Sequence, residues 1–207
     1  MRFHLTVVYG IILAILVIAF RQFLVMLEKK KQDFRLLVII SVLTALSVTG
    51  RLIFAVLPGF KPVTAVVILS GIYFGKEAGF LTGSLTALIS NFYFGQGAWT
   101  PFQMMVWGII GAIAGIGSGL LRKNRFVLYL YSAAAGAMYS LLMDIYTVFW
   151  IDGYLNGSRY LTALLTSLPF TVIYAVSNVI FMVVLRKPVG RKLMRVRKKF
   201  GLESLKM

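Results

Sequence analysis

Two stretches place a single charge in an otherwise apolar setting: Arg51 in "VLTALSVTGRLIF" and Asp144 in "LLMDIYTVFW". A charge there is costly, so it either pairs internally or contacts a polar ligand. Two readings stand side by side: Arg51 and Asp144 pair with each other, or one or both face a bound molecule. Arg21 lies near the end of its own apolar stretch and can extend to the interface, so it needs no partner. Neutral polar and aromatic side chains complete the set. Asn91, Gln96, Trp99 and Gln103 fall in "NFYFGQGAWTPFQM", Tyr146 follows Asp144, and Tyr174 and Asn178 share "SLPFTVIYAVSNVIF". Amides, phenols and an indole suit a ligand with flat rings and amide or hydroxyl groups. Asn91, Tyr174 and Asn178 equally fit hydrogen bonds between helices. "TPFQ" reads as a helix start, with Thr100 as N-cap, Pro101 in the first helical position and Gln103 closing a capping box. An interfacial aromatic belt explains Phe92, Tyr93, Phe94 and Trp99, but not Gly95, Gln96 and Gly97 among them. Trp99→Ala is accordingly expected to weaken ligand binding.

These groups bind better than they catalyse. The chain has no cysteine, and its single histidine, His4, stands at the extreme N-terminus. Neither a zinc-binding helix motif nor Gly-x-Ser-x-Gly occurs, and Asp144 has no second intramembrane carboxylate to work with. "GIGSG" at 115–119 lacks the Lys-Ser/Thr ending of a phosphate loop. No catalytic residue, metal site or cofactor of the chain's own is expected.

The elements that must position these residues are membrane helices. The 207 residues are 59% hydrophobic and 14% charged, with a mean hydropathy of +0.87. A bilayer requires every backbone group to be paired internally, and long apolar runs without strict alternation exclude a barrel. The apolar segments run over about 3–27, 36–57, 62–75, 78–94, 101–121, 127–150 and 161–185. The first is too long and too basic on its far side for a cleaved signal peptide, so it reads as a retained extra helix. The expected divisions are 1–30 (N-terminal helix and basic linker), 31–190 (six-helix membrane domain) and 191–207 (basic tail). The net charge of +16 follows topology rather than nucleic-acid binding. With the N-terminus outside, most of the cations fall in the cytoplasmic loops and the tail, where they also meet anionic lipid. Small residues recur every fourth position at Ser41, Ala45, Thr49; at Gly79, Gly83, Ala87; and at Gly111, Gly115, Gly119. Each stripe permits close packing, either internally or against another membrane subunit. "IDGYLNGSR" at 151–159 holds two turn signals and could fold as a lid.

Residues 36–190 resemble the substrate-binding (S) component of an energy-coupling factor (ECF) transporter, most of all over "FKPVTAVVILSGIYFGKEAGFLTGSLTALISNFYFGQGAWTPFQMMVWGIIGAIAG". The resemblance implies an all-α polytopic protein, a six-helix bundle here preceded by one extra helix, in a prokaryotic cell membrane with a cytoplasmic C-terminus. It implies capture of a vitamin in an outward-facing pocket. It also implies partnership with a transmembrane scaffold and two ATPases, which alone use ATP. The family's scaffold-contacting Ala-x-x-x-Ala motif corresponds to Ser41, Ala45 and Thr49, with Ser41 replacing an alanine. The whole-chain similarity is nearest to members assigned to cobalamin or related compounds. An aromatic, amide-rich site would also take riboflavin or a pyrimidine, whereas a strongly anionic substrate wants more basic groups than Arg51 and Lys61. A membrane enzyme and a stand-alone transporter are the alternatives of other classes. The latter calls for repeats and ionisable relays, and the chain has no convincing repeat.

Overall fold

A computed structural model of the protein describes residues 34–202. The expected extra helix at 3–27, its linker, Arg21 and His4 lie outside the described residues. Within them the chain is helical: α1 (Phe34–Ile53), α2 (Val63–Phe74), α3 (Lys76–Phe94), α4 (Trp99–Ile116), the short α5 (Ser118–Lys123), α6 (Arg125–Asp152) and α7 (Gly157–Lys199). Four of these, α1, α4, α6 and α7, are long and apolar enough to cross a bilayer.

Short connections make successive long helices antiparallel, so the bundle has two ends. The α1–α2, α3–α4 and α6–α7 loops share one end, and the α2–α3 turn and α5 share the other. α2 is the central element. Its twelve residues span about 18 Å, short of the hydrocarbon thickness. Nearly every one of them is buried, the mark of a helix enclosed by protein on all sides. Its short length therefore never has to match the membrane. α1 shows a one-sided pattern: Leu36, Ile39, Ile40, Leu43, Thr44, Ser47 and Arg51 are buried, and the other face is exposed.

The glycine stripes of α3 and α4 turn toward each other. A side chain at Gly79 would strike the Gly111 backbone, and one at Gly83 the backbone of Trp107 and Gly108. Gly71 of α2 abuts Gly111 and Gly115, so three helices meet where only hydrogen fits. The single residue between α2 and α3, Gly75, has φ +92 with open space around it, so backbone conformation rather than crowding requires glycine there.

Two expectations about local structure change. α4 begins at Trp99 with Ala98 as its N-cap, and Gln103 does not close a capping box, because its side chain is drawn into a buried network. The 151–159 stretch is not a lid. Gly153 ends α6 in a left-handed conformation, Asn156 caps α7 by accepting from the Ser158 and Arg159 amides, and Arg159 pairs with Asp152 at 2.6 Å. The four residues between the helices are consumed by these caps. Finally, α7 runs 43 residues, through Pro169 and Pro188, about 64 Å. The helix is continuous past position 190. Gly190 rests on the Tyr73 hydroxyl, and Arg35 donates to the Phe200 carbonyl at 3.2 Å, so the basic segment is joined to the bundle.

Candidate functional site

At the loop end of the bundle a chain of polar side chains crosses four helices. Arg51 (α1) donates to Ser90 Oγ and, at 2.8 Å, to Asn91 Oδ1. Asn91 (α3) donates to Thr100 Oγ1 at 3.0 Å and to Gln103 Oε1 at 2.8 Å. Gln103 (α4) donates to the Tyr139 hydroxyl (α6) at 2.8 Å. Arg51 also lies over the Phe94 ring at 4.4 Å and the Trp107 ring at 5.2 Å, so two aromatic faces share its charge. The order of donors and acceptors fixes the orientation of both amides: reversing either would oppose two donors.

Beside this network lies a pocket lined by Gly59, Lys61, Val63, Thr64, Trp107, Gly136, Tyr139, Tyr174 and Asn178. Trp107 stacks on Tyr139 with ring centroids 5.3 Å apart, and Tyr174 meets Tyr139 edge-on. The first turn of α2 contributes Val63 and Thr64 to its wall, and the 54–62 loop contributes Gly59 and Lys61. Phe54 and Phe60 of that loop pack on Phe181 of α7 at 5.0 and 4.9 Å. The Lys61 amide donates to Ser177 Oγ at 3.0 Å. Lys61 itself is largely desolvated. Burial first, and the nearby Arg51 charge second, lower its pKa to about 8. The enclosed space is only about 10 Å³, the room of about one water molecule. Gly136 explains how α6 and α7 come together at the pocket: a side chain there would meet the Tyr174–Ala175 backbone at 2.6–2.7 Å.

The residues expected from sequence divide into three groups. Arg51, Asn91 and Gln103 are joined in the network, and Tyr174 and Asn178 line the pocket. Asp144 is elsewhere: it accepts from Ser167 at 2.5 Å and does not pair with Arg51. Tyr146 is buried against Phe102 and Trp150. Gln96 and Trp99 stay at the rim, Gln96 bonded to the Leu88 carbonyl at 2.9 Å and Trp99 41% exposed. Trp107, Tyr139 and Thr64 are pocket residues that the reading of motifs passed over. Trp107 and Tyr139 lie mid-helix in apolar runs with no local signal. Lys61, weighed from sequence as one of two basic groups open to a ligand, does line the pocket.

On the outside of the bundle, Ser41, Ala45 and Thr49 are exposed and line a cleft of about 300 Å³ with Thr44, Val48, Leu85 and Ile89. The stripes of α3 and α4 are used internally, whereas that of α1 faces outward.

The model of the family described as ECF-type riboflavin transporter, S component, matches residues 31–191. No curated protein and no solved structure gave a significant match. The matched span covers most of the chain, and the protein belongs to this family of transporter S components.

Proposed function

We propose that the protein captures a vitamin of the riboflavin class in the pocket under the 54–62 loop and delivers it inward with a transmembrane scaffold and two ATPases. The observation that carries this is the pocket itself, in which Trp107, Tyr139 and Tyr174 present ring faces and edges beside Asn178 and Lys61. Such a wall suits a flat heteroaromatic ligand with polar edges. The riboflavin name of the matched family favours the same class over cobalamin. So does size: the closed pocket has to widen for any vitamin, and a corrin with its amide arms demands far more room than three fused rings. Entry then requires the loop carrying Gly59 and Lys61 to lift from α7.

The pocket end faces outward in this reading. Among the described residues that end carries Arg51, Lys61 and Arg159, while Arg35, Lys76, Arg122, Lys123, Arg125 and the Arg186–Lys199 run gather at the other, as expected of a cytoplasmic side. The outward-facing Ser41/Ala45/Thr49 cleft is the docking face for the scaffold. The chain needs no cofactor of its own, and ATP is used by the partners.

The test is direct. The purified full-length protein in detergent is titrated with riboflavin, following quenching of flavin fluorescence, and with cyanocobalamin by calorimetry. Saturable flavin quenching without cobalamin binding is expected. Cobalamin binding alone, or no binding of either, overturns the ligand class.

A further inference from the structure

We propose that the N-terminal apolar segment, residues 3–27, lies in the α1–α3 cleft of the free protein and has to leave it before a scaffold helix can enter. The second half of this inference rests on the docking reading above. It starts from a face prepared for a helix. α1 packs on α2 and α3 through its buried side. Val38, Val42 and Leu46 stand exposed on the other side, beside the exposed Ser41, Ala45 and Thr49. Thr44 lines the cleft at that stripe and is 2% exposed, and its Oγ1 has no hydrogen-bond partner among the described residues. A buried hydroxyl left unpaired is rare. Lipid tails would cover the apolar face but offer Thr44 no acceptor. A helix backbone brought close supplies a carbonyl whose second lone pair accepts from it.

The occupant follows from sequence and reach. Residues 3–27 carry small side chains at Thr6, Gly10 and Ala14, every fourth position, the spacing of Ser41, Ala45 and Thr49. Two such stripes let helix backbones approach closely. The six residues 28–33 that lead to Phe34 have the length that joins antiparallel neighbours. Counted from that turn, Ala14 lies about 20 Å along its segment and Ala45 about 17 Å along α1, with Gly10 and Thr49 at about 26 and 23 Å. The stripes therefore meet at the same depth, Ala14 by Ala45 and Gly10 by Thr49. The linker holds the segment at an effective concentration on the order of millimolar. The free protein thus covers its own cleft, and a scaffold helix gains access by displacing the cover.

The chain has no cysteine, so introduced pairs report the contact on the full-length protein in detergent. Ala14→Cys with Ala45→Cys, and Gly10→Cys with Thr49→Cys, are oxidised with copper phenanthroline. Ala14→Cys with Leu130→Cys, on the exposed side of α6, is the control. Both test pairs are expected to close an intramolecular disulfide at least tenfold faster than the control. Oxidation should then lower co-purification with the scaffold and ATPase subunits at least tenfold, and reduction should restore it. The second pair carries the test where one variant does not fold. No disulfide in either pair, or only covalent dimers, which assign the cleft to a second copy, overturns the inference and leaves the docking reading standing. A disulfide that leaves co-purification unchanged overturns the displacement and moves the scaffold to another face.

Discussion

Gln103 shows how a residue's role is decided by what it reaches. It sits one turn into α4, where a cap was expected, yet it is 3% exposed and bridges Asn91 to Tyr139. Gln103→Leu removes the donor to the Tyr139 hydroxyl and one of the two acceptors of Asn91 Nδ2, a loss of about 1–3 kcal/mol. A lower unfolding temperature in detergent is expected, and an unchanged one would remove the network from the stability account. Trp107 is the ring with most to lose. Trp107→Ala should weaken riboflavin binding about thirtyfold, as truncation of a buried aromatic anchor does. Trp99→Ala, which sequence alone expects to weaken binding, lies at the exposed rim outside the pocket lining and should leave it nearly unchanged; calorimetry on the pair separates the two positions. Lys61 supplies the pH dependence. Its pKa is lowered to about 8, so it is charged below that value and neutral above. Folding binds fewer protons than the unfolded chain between about 8 and the ordinary lysine value, so stability of the unliganded protein rises with pH through that window. Lys61→Met should flatten that rise, which thermal unfolding in detergent between pH 7 and pH 10 would measure.

Among the elements, glycines at similar spacing have opposite tolerances, according to whether another helix lies against them. Gly79 meets the backbone of α4, whereas nothing lies within 4 Å of a side chain placed at Gly119. Gly79→Leu forces α3 and α4 apart and is expected to abolish the folded, monodisperse protein in size-exclusion chromatography, while Gly119→Leu should elute as the parent does. The 54–62 loop is held by Phe60 and Phe54 on Phe181, and by Gly59, whose φ of +75 lets the backbone pass Ile173 and Tyr174.

For the whole molecule, the outward-facing α1 stripe sets the expectation. Ala45→Trp fills the cleft formed with Leu85 and Ile89 without touching the pocket lining. It should abolish co-purification with the scaffold and ATPase subunits while riboflavin titration is unchanged. Retained co-purification would move the docking face elsewhere. Vitamin uptake into vesicles should require those subunits and ATP, and uptake by this chain alone would contradict the family's division of labour.

Much of this was legible in the residues themselves. Apolar runs of bilayer length, cations gathered between them, turn glycines and capping asparagines are local signals, and the helices follow them because each depends on the chain within a few residues. The family resemblance was legible for the same reason, being carried by contiguous stretches. Which stripe packs inward, whether Arg51 meets Asp144, and that Trp107, Tyr139 and Lys61 share a wall with Asn178 depend on how α1, α4, α6 and α7 are rotated and set around α2. Those rotations come from close contacts between residues far apart in the chain, such as Gly136 against Tyr174 and Gly79 against Gly111, and only the packed bundle decides them.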